Sequence, residues 1–313
     1  MNTTTWNLTP ASSNPTVFEG PHASSDDAKT RIIEYYRQLD ASYRRWGVSE
    51  AYELHYGHHD DLPGVEDRSE DDHARALVRM TEVMAERASI RPGDRVLDAG
   101  CGVGASALWL AAHRGCQVEG ISLSEHQIGL AREFASRAQD PSRLGFAVRD
   151  FSATGLPDAS FDVVWGLESI CYAQDKRLFL AEALRLLRPG GRLVVADYFL
   201  ESEPRSGIER HSLERWLDGW VIPHLPRRTQ FHGWIAGAGF VEGEDVDITE
   251  NIRPSAEEIY RRGKAGYPDD ILGKGKNALQ IQHVEACLFQ KVCLDLGLWR
   301  YRIFTARKEG GLG

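Results

Sequence analysis

What this chain of 313 residues has little of narrows its possible roles. No stretch approaches the roughly 18 consecutive apolar residues that a bilayer span needs. Cysteine is scarce: five residues, at 101, 116, 171, 287 and 293, an odd number with no CxxC pair. Such a set indicates neither a disulfide framework nor a zinc site, and a reducing cytoplasm is its expected home. The opening MNTTTWNLTPASSNPT lacks a basic region followed by an apolar stretch, so no secretory signal is expected. Positive charge is in deficit, with 37 Lys and Arg against 46 Asp and Glu, a net charge of −9. That balance argues against nucleic acid as the main partner. No internal repeat or low-complexity tract is evident. What the chain does have is 42% hydrophobic side chains, enough for one large domain or one domain with an accessory part. A small molecule is the expected partner, and self-association is compatible with this composition.

Three regions emerge along the chain. Residues 1–24 are polar and read as a flexible leader. From Ser25, the residues Ile32, Ile33, Tyr36, Leu39 and Tyr43 recur at helical spacing. An acid-rich stretch, 60–72, interrupts this pattern, and Ala76, Leu77, Met80, Val83 and Met84 then mark a second helix. Residues 25–90 therefore read as an N-terminal helical lid. The third region, 91–313, changes period. Strands at 95–99, 117–121, 144–148, 161–166 and 192–196 alternate with helices at 105–113, 125–138 and 176–187. Alternating units of this kind predict a parallel sheet covered on both faces. An aromatic helical insertion spans about 200–236, with Trp216, Trp220, Phe231 and Trp234. Strands return at 241–248 and 299–306, with a second helical insertion at 250–297.

Val96-Leu97-Asp98-Ala99-Gly100-Cys101-Gly102-Val103-Gly104-Ala105 is the most informative run. It follows a strand and opens a helix, where glycines admit a ligand close to the backbone. Gly100, Gly102 and Ala105 loosely satisfy the dinucleotide fingerprint. A nicotinamide enzyme also wants an acid just beyond the second strand for the ribose diol. Ser122-Leu123-Ser124 stands there instead, and Glu119 lies inside the strand.

Asp98-x-Gly100-x-Gly102-x-Gly104 resembles motif I of the class I S-adenosylmethionine-dependent methyltransferases. GISLSEHQ at 120–127, RDFSATGLPDASFDVVW at 149–165 and LRPGGRLVVAD at 187–197 match the family in order and spacing. The resemblance covers about 92–200. It implies a Rossmann-like α/β fold with a seven-stranded sheet, the last strand antiparallel, an N-terminal lid and a helical insertion before that strand. It also implies S-adenosyl-L-methionine as cofactor. By this likeness the glycine loop faces the methionine and ribose, with Asp98 on the ammonium. Ser122, the Leu123 backbone and Gln127 would hold ribose and adenine, as in the branch with cyclopropane fatty acid synthases and tocopherol methyltransferases. Asp150 would accept from the adenine amino group and Phe151 would flank the ring.

Glu168 lies just past the strand 161–166, among Trp165, Leu167, Ile170, Cys171 and Tyr172. Ligands of open α/β sheets gather at that edge, so Glu168 is the candidate base, with Tyr172 and His55 beside it. The runs 43–47 and 54–60 are similar to the segment before motif I in tocopherol, sterol and prenyl diphosphate C-methyltransferases. Related sugar O-methyltransferases carry a His three residues after the Glu, where this chain has Cys171. Alkene methylation passes through a carbocation, which aromatic faces stabilise. Tyr43, Trp46, Tyr56 and Trp220 are accordingly expected around the acceptor. Lys264, Lys274 and Lys276, in a glycine-bearing basic segment, are expected on an anionic head, with Mg²⁺ accompanying a diphosphate. The expected activity is C-methylation of an alkene in a short isoprenoid, of the isopentenyl or geranyl diphosphate type. An O- or N-methyltransferase, a prenylquinol C-methyltransferase and a non-catalytic cofactor-binding protein are the alternatives. No resident metal site is expected, His55, His58 and His59 reading as loop surface more than as ligands.

Overall fold

The computed structural model describes residues 3–7, 25–46, 52–60, 69–271 and 277–310. Its strands are β1 (Thr3–Asn7), β2 (Arg95–Ala99), β3 (Gln117–Ser122), β4 (Leu144–Val148), β5 (Phe161–Leu167), β6 (Leu187–Leu200), β7 (Phe240–Asp247) and β8 (Trp299–Lys308). They form one sheet in the order β1-β7-β8-β6-β5-β2-β3-β4. The pairs from β4 through β6 are parallel, and β8 enters antiparallel between β6 and β7. The expected seven-stranded arrangement is thus present, with its last strand antiparallel. β1 extends it by one edge strand, pairing Thr3 with Val246 of β7. That strand falls inside the stretch read as a leader, which corrects the reading for Thr3–Asn7.

The central strands are buried along nearly their whole length because helices cover both faces. On one face lie α1 (Ser25–Trp46), α2 (Glu70–Arg87), α3 (Ala105–Arg114), α4 (Glu125–Ser136), and the later α6 (Gly207–Gly219), α8 (Thr249–Ile271) and α9 (Ala278–Asp295). The other face carries α5 (Lys176–Leu186) and α7 (Arg228–Ala238). Side chains fix the helix starts. Ser69 and Asp72 form a capping box on α2, and the Ser124 hydroxyl accepts the Gln127 N–H at α4.

Local pattern misjudged two elements. β6 begins at Leu187, not at 192, and runs to Leu200, because its residues 192–200 pair with β8 and Leu187 pairs with Phe161. Those partners are distant in sequence. On α1 the buried stripe is Ala28, Tyr35, Leu39 and Trp46, whereas Ile33 remains 36% exposed. Ile32 and Ile33 face a ligand cavity instead of the core.

A buried ion cluster fastens α7 to the sheet. Asp245 accepts from Arg228 (2.7 and 2.8 Å), from Arg302 (2.8 Å) and pairs with His232 (3.0 Å). Burial would raise this carboxyl, yet His232 and Arg228 hold it well below the usual range. A depressed carboxyl stabilises the fold above the unfolded value of about 4 and loses that contribution as pH falls. Asp245→Asn should cost about 3 kcal/mol at neutral pH, because it removes the buried carboxylate that Arg228 and Arg302 share. Urea denaturation should show the gap from the parent protein closing below about pH 4.

Candidate active site

Two chambers meet at the carboxyl edge of the sheet. The outer, of about 280 Å³, is bounded by the glycine loop, the tips of β3 and β4, and α1. The inner, of about 510 Å³, is enclosed by α1, the strap 52–60, α8 and α9. Tyr36, Leu54, His55, Glu168 and Tyr172 face both and form the neck between them.

The outer chamber is shaped by backbone. Gly100, Gly102 and Gly104 have φ of +97°, +55° and +91°, the left-handed region that glycine enters without cost. A Cβ on Gly100 would overlap Ser169, and one on Gly102 would lie 2.9 Å from Leu54. Gly104 stands outside the chamber lining; it begins α3 and lets that helix pack on Phe146. Ser122 Oγ donates to Gln127 Oε1 at 2.9 Å, which orients the amide at the chamber wall beside Leu123. Asp150 accepts from Ser152 N (2.7 Å) and pairs with Lys29 of α1 (2.9 Å). Phe151 lines the wall and meets Phe179 edge-on.

Asp98 is buried and its Oδ2 lacks a hydrogen-bond partner among the described residues. Desolvation alone pushes this carboxyl up to about 7. An orphaned carboxylate beside a glycine cradle calls for a cationic ligand group, and the ammonium of S-adenosylmethionine supplies one.

Glu168 occupies the neck with φ +47°, a conformation that side chains other than glycine rarely adopt. Its carboxylate accepts from Tyr56 N (2.7 Å), Tyr301 Oη (2.8 Å) and Tyr198 Oη. Burial pushes it up to about 7, against the pull of those three donors. Tyr172 receives a hydrogen bond from Tyr36 Oη at 2.9 Å, joining the lid to the core. His55 Nδ1 lies 2.9 Å from the Tyr56 carbonyl, and its Nε2 is buried without a partner. Burial lowers its pKa, so the ring is neutral.

Tyr43, Trp46, Tyr56 and Trp220 all line the inner chamber. Lys264 does not. It is exposed on α8 over the Tyr260 ring, and Arg262 and Gly263 take the lining positions. The turn of the helix decides this, which a count of nearby cations could not. Lys274 and Lys276 lie outside the described residues. His58 is 3.2 Å from Asp60 and His59 is 3.1 Å from Ser255 Oγ, so the three histidines have separate tasks. No cluster of three or more metal-binding side chains occurs among the described residues. Among the described residues the inner chamber offers a single carboxylate, Glu168, already held by three donors. That donor set does not fit Mg²⁺, which wants carboxylate oxygens in octahedral array.

Sequence reasoning missed Tyr198 and Tyr301, which face each other across β6 and β8. It also missed Lys176, fully buried and donating to the carbonyls of Cys171 (3.2 Å), Ala173 (3.0 Å) and His224 (3.2 Å). Asp197 grips the same loop through Cys171 N at 2.7 Å.

A sheet-edge glycine cradle with an unpaired carboxyl, opening through a carboxylate neck on a second chamber, fits an enzyme that brings a cationic cofactor to an acceptor in that chamber. The family of methyltransferase domains matches residues 97–195. The 27-O-demethylrifamycin SV methyltransferase of Amycolatopsis mediterranei is 32% identical over 268 residues, 86% of this chain and 88% of that one. The 2-methyl-6-phytyl-1,4-hydroquinone methyltransferase of Synechocystis is 31% identical over 283 residues, 86% of each. The geranyl diphosphate C-methyltransferase of Streptomyces coelicolor shares the fold, with a TM-score of 0.69 at 20% identity over 91% of this chain and all of that one. The chain belongs to the class I S-adenosylmethionine-dependent methyltransferases. No helix among the described residues is long and apolar enough to cross a membrane.

If Asp98 meets the cofactor's ammonium, only its ionised form attracts that group. Affinity for S-adenosylmethionine should then climb with pH towards about 7, by up to tenfold per unit, and flatten before the ammonium itself deprotonates near about 8. Asp98→Asn should weaken binding and flatten the profile; calorimetry at about pH 6 and about pH 8 measures both.

Proposed function

We propose that the protein C-methylates an alkene carbon of a short isoprenoid, of the isopentenyl or geranyl diphosphate type. One observation carries this reading: among the described residues a single carboxylate, Glu168, stands at a neck whose other walls are Tyr36, Leu54, Tyr172 and His55. S-adenosylmethionine supplies an electrophilic methyl group on a sulfonium. The glycine loop and Asp98 hold it on the outer side, while the inner chamber presents the alkene. Methyl transfer to an alkene leaves a tertiary cation, and the ring faces of Tyr36, Tyr56 and Tyr172 are placed to stabilise positive charge. Tyr56 is buried and Tyr172 half-buried, and an acceptor filling the chamber would exclude the water that quenches it. Glu168 then removes a proton from the neighbouring carbon and restores a double bond. Burial pushes its pKa up to about 7, and positive charge arriving beside it favours the ionised form that can accept a proton. The relatives that act on a prenylated hydroquinone and on geranyl diphosphate support the substrate class.

His55 favours a second reading, O-methylation. A carbonyl only accepts, so the contact with Tyr56 O places the proton on Nδ1 and leaves Nε2 an acceptor, buried without a partner on a residue that borders the neck. That nitrogen could take the proton of a hydroxyl acceptor, the group implied by the name of the rifamycin enzyme.

Glu168→Gln should lower kcat for an isoprenoid acceptor by at least about a hundredfold, with cofactor affinity changed less than about threefold. His55→Ala should have the smaller effect. Labelled-methyl turnover on prenyl diphosphates, prenylquinols and polyketide alcohols, with products identified by NMR, decides between the readings. Efficient O-methylation, abolished by His55→Ala and untouched by Glu168→Gln, would overturn the first.

A further inference from the structure

The inner chamber is larger than an alkene needs, and the wall furnished by α8 and α9 is polar. Gln280, His283 and Cys287 of α9 and Arg262 of α8 line it, opposite Tyr43 of α1. Behind this wall runs a hydrogen-bonded relay. Tyr43 Oη lies 3.1 Å from Tyr35 Oη, and Tyr35 Oη lies 2.9 Å from His283 Nδ1. On its other side His283 Nε2 is 3.8 Å from Cys287 Sγ.

The relay has a direction. Burial pushes Tyr35 and Tyr43 well up, so each phenol keeps one proton and donates once. When His283 Nδ1 accepts, Tyr35 donates to it and receives from Tyr43, whose oxygen then presents lone pairs. When Nδ1 carries a proton, His283 donates to Tyr35 and Tyr35 to Tyr43. The Tyr43 proton is then released to point into the chamber. When the ring is protonated on both nitrogens, Tyr43 and the His283 Nε2–H become donors together. Arg262 adds a fixed cation at the rim. Its Nε donates to Glu258 at 2.6 Å and its guanidinium lies over the Trp46 ring.

We propose that Arg262, Gln280, His283 and Tyr43 form a subsite for the oxyanion head of the acceptor, working without a divalent cation. The proposal rests on the isoprenoid reading for what fills the rest of the chamber. It replaces the expected role of Lys264, and it fits a chamber whose lone carboxylate is committed to Tyr56, Tyr198 and Tyr301. An oxyanion favours the protonated imidazole, so the head itself selects the donor state of the relay. Tyr35 never touches the ligand and acts as a positioning residue.

Binding separates this subsite from turnover. Geranyl diphosphate is titrated calorimetrically, in EDTA, into the protein saturated with S-adenosylhomocysteine. The expected result is saturable binding that added Mg²⁺ strengthens by less than about twofold, since no metal bridges the head. Arg262→Gln and His283→Gln should each weaken it about tenfold, and Tyr35→Phe by about three- to tenfold. Geraniol should bind more weakly and ignore all three changes. Tyr35→Phe keeps the ring and its packing, so it reports even where a larger change disturbs folding. Absence of binding in EDTA, with or without recovery on adding Mg²⁺, overturns the subsite, as do three variants that bind like the parent. Metal-free binding with no methylated product leaves the subsite standing and defeats the C-methylation reading instead.

Discussion

The carboxylate of Glu168 is the point on which the site hangs. Its left-handed backbone costs roughly 1 kcal/mol, and the surrounding loop holds it there. Glu168 N donates to the Ala196 carbonyl at 2.9 Å, and Ser169 Oγ donates to the Ala99 carbonyl at 2.6 Å. Lys176 and Asp197 clamp the next residues from below. The carboxylate so presented ties together the strap at Tyr56, β6 at Tyr198 and β8 at Tyr301. A wall between two chambers and, in the proposed reaction, a proton acceptor are thereby one group. Losing it would untie the strap from the sheet as well as remove that proposed base.

The same edge stores electrostatic tension. Burial pushes Asp98 and Glu168 up to about 7 and Asp197 up to about 6, and lowers Lys176 to about 8. Carboxyls with raised values bind protons that the unfolded chain has released. Their contribution to stability is therefore present below about pH 4 and declines as pH rises towards 7. A cation arriving in the outer chamber reverses that decline, because the ionised form is then the one that is paired. The apolar cores on both faces of the sheet carry the fold through the unfavourable window. Cofactor binding relieves a tension that the fold maintains in order to bind it.

Much of this was legible in the sequence, for reasons that differ by element. β2, β3 and β5 and the helices after them declare themselves locally, since each is one periodic run closed by a glycine or a capping serine. Asp98, Gly100, Gly102, Ser122, Gln127 and Glu168 follow from position, because the carboxyl ends of parallel strands must converge. Tyr198 and Tyr301 were not legible. Each reads as an ordinary aromatic in a strand, and only the antiparallel register of β6 on β8 sets them side by side. Lys264 failed for the converse reason. Charge density in a segment says nothing of which turn of a helix faces inward, and there the facing residue is Arg262. Tyr35 was hidden by its neighbours: a stripe through Ile32, Ile33 and Tyr36 looked like the core face until a cavity lay beneath it.

That cavity gives α1 its place in the chemistry. Ile32 and Lys29 meet the outer chamber, Tyr43 and Trp46 the inner, and Tyr36 stands over the neck. The helix is held at one end by Lys29 on Asp150 and near its middle by Tyr36 on Tyr172. Asp150 is also the residue expected to receive adenine, so the lid and the cofactor share one anchor. Further along, Tyr35 and Tyr43 join the lid to His283. A single helix thus touches the outer chamber, the neck and the inner chamber. In the proposed reaction that span matters because a carbocation survives only where water is kept out, and one helix bordering all three regions would exclude it before the methyl group moves.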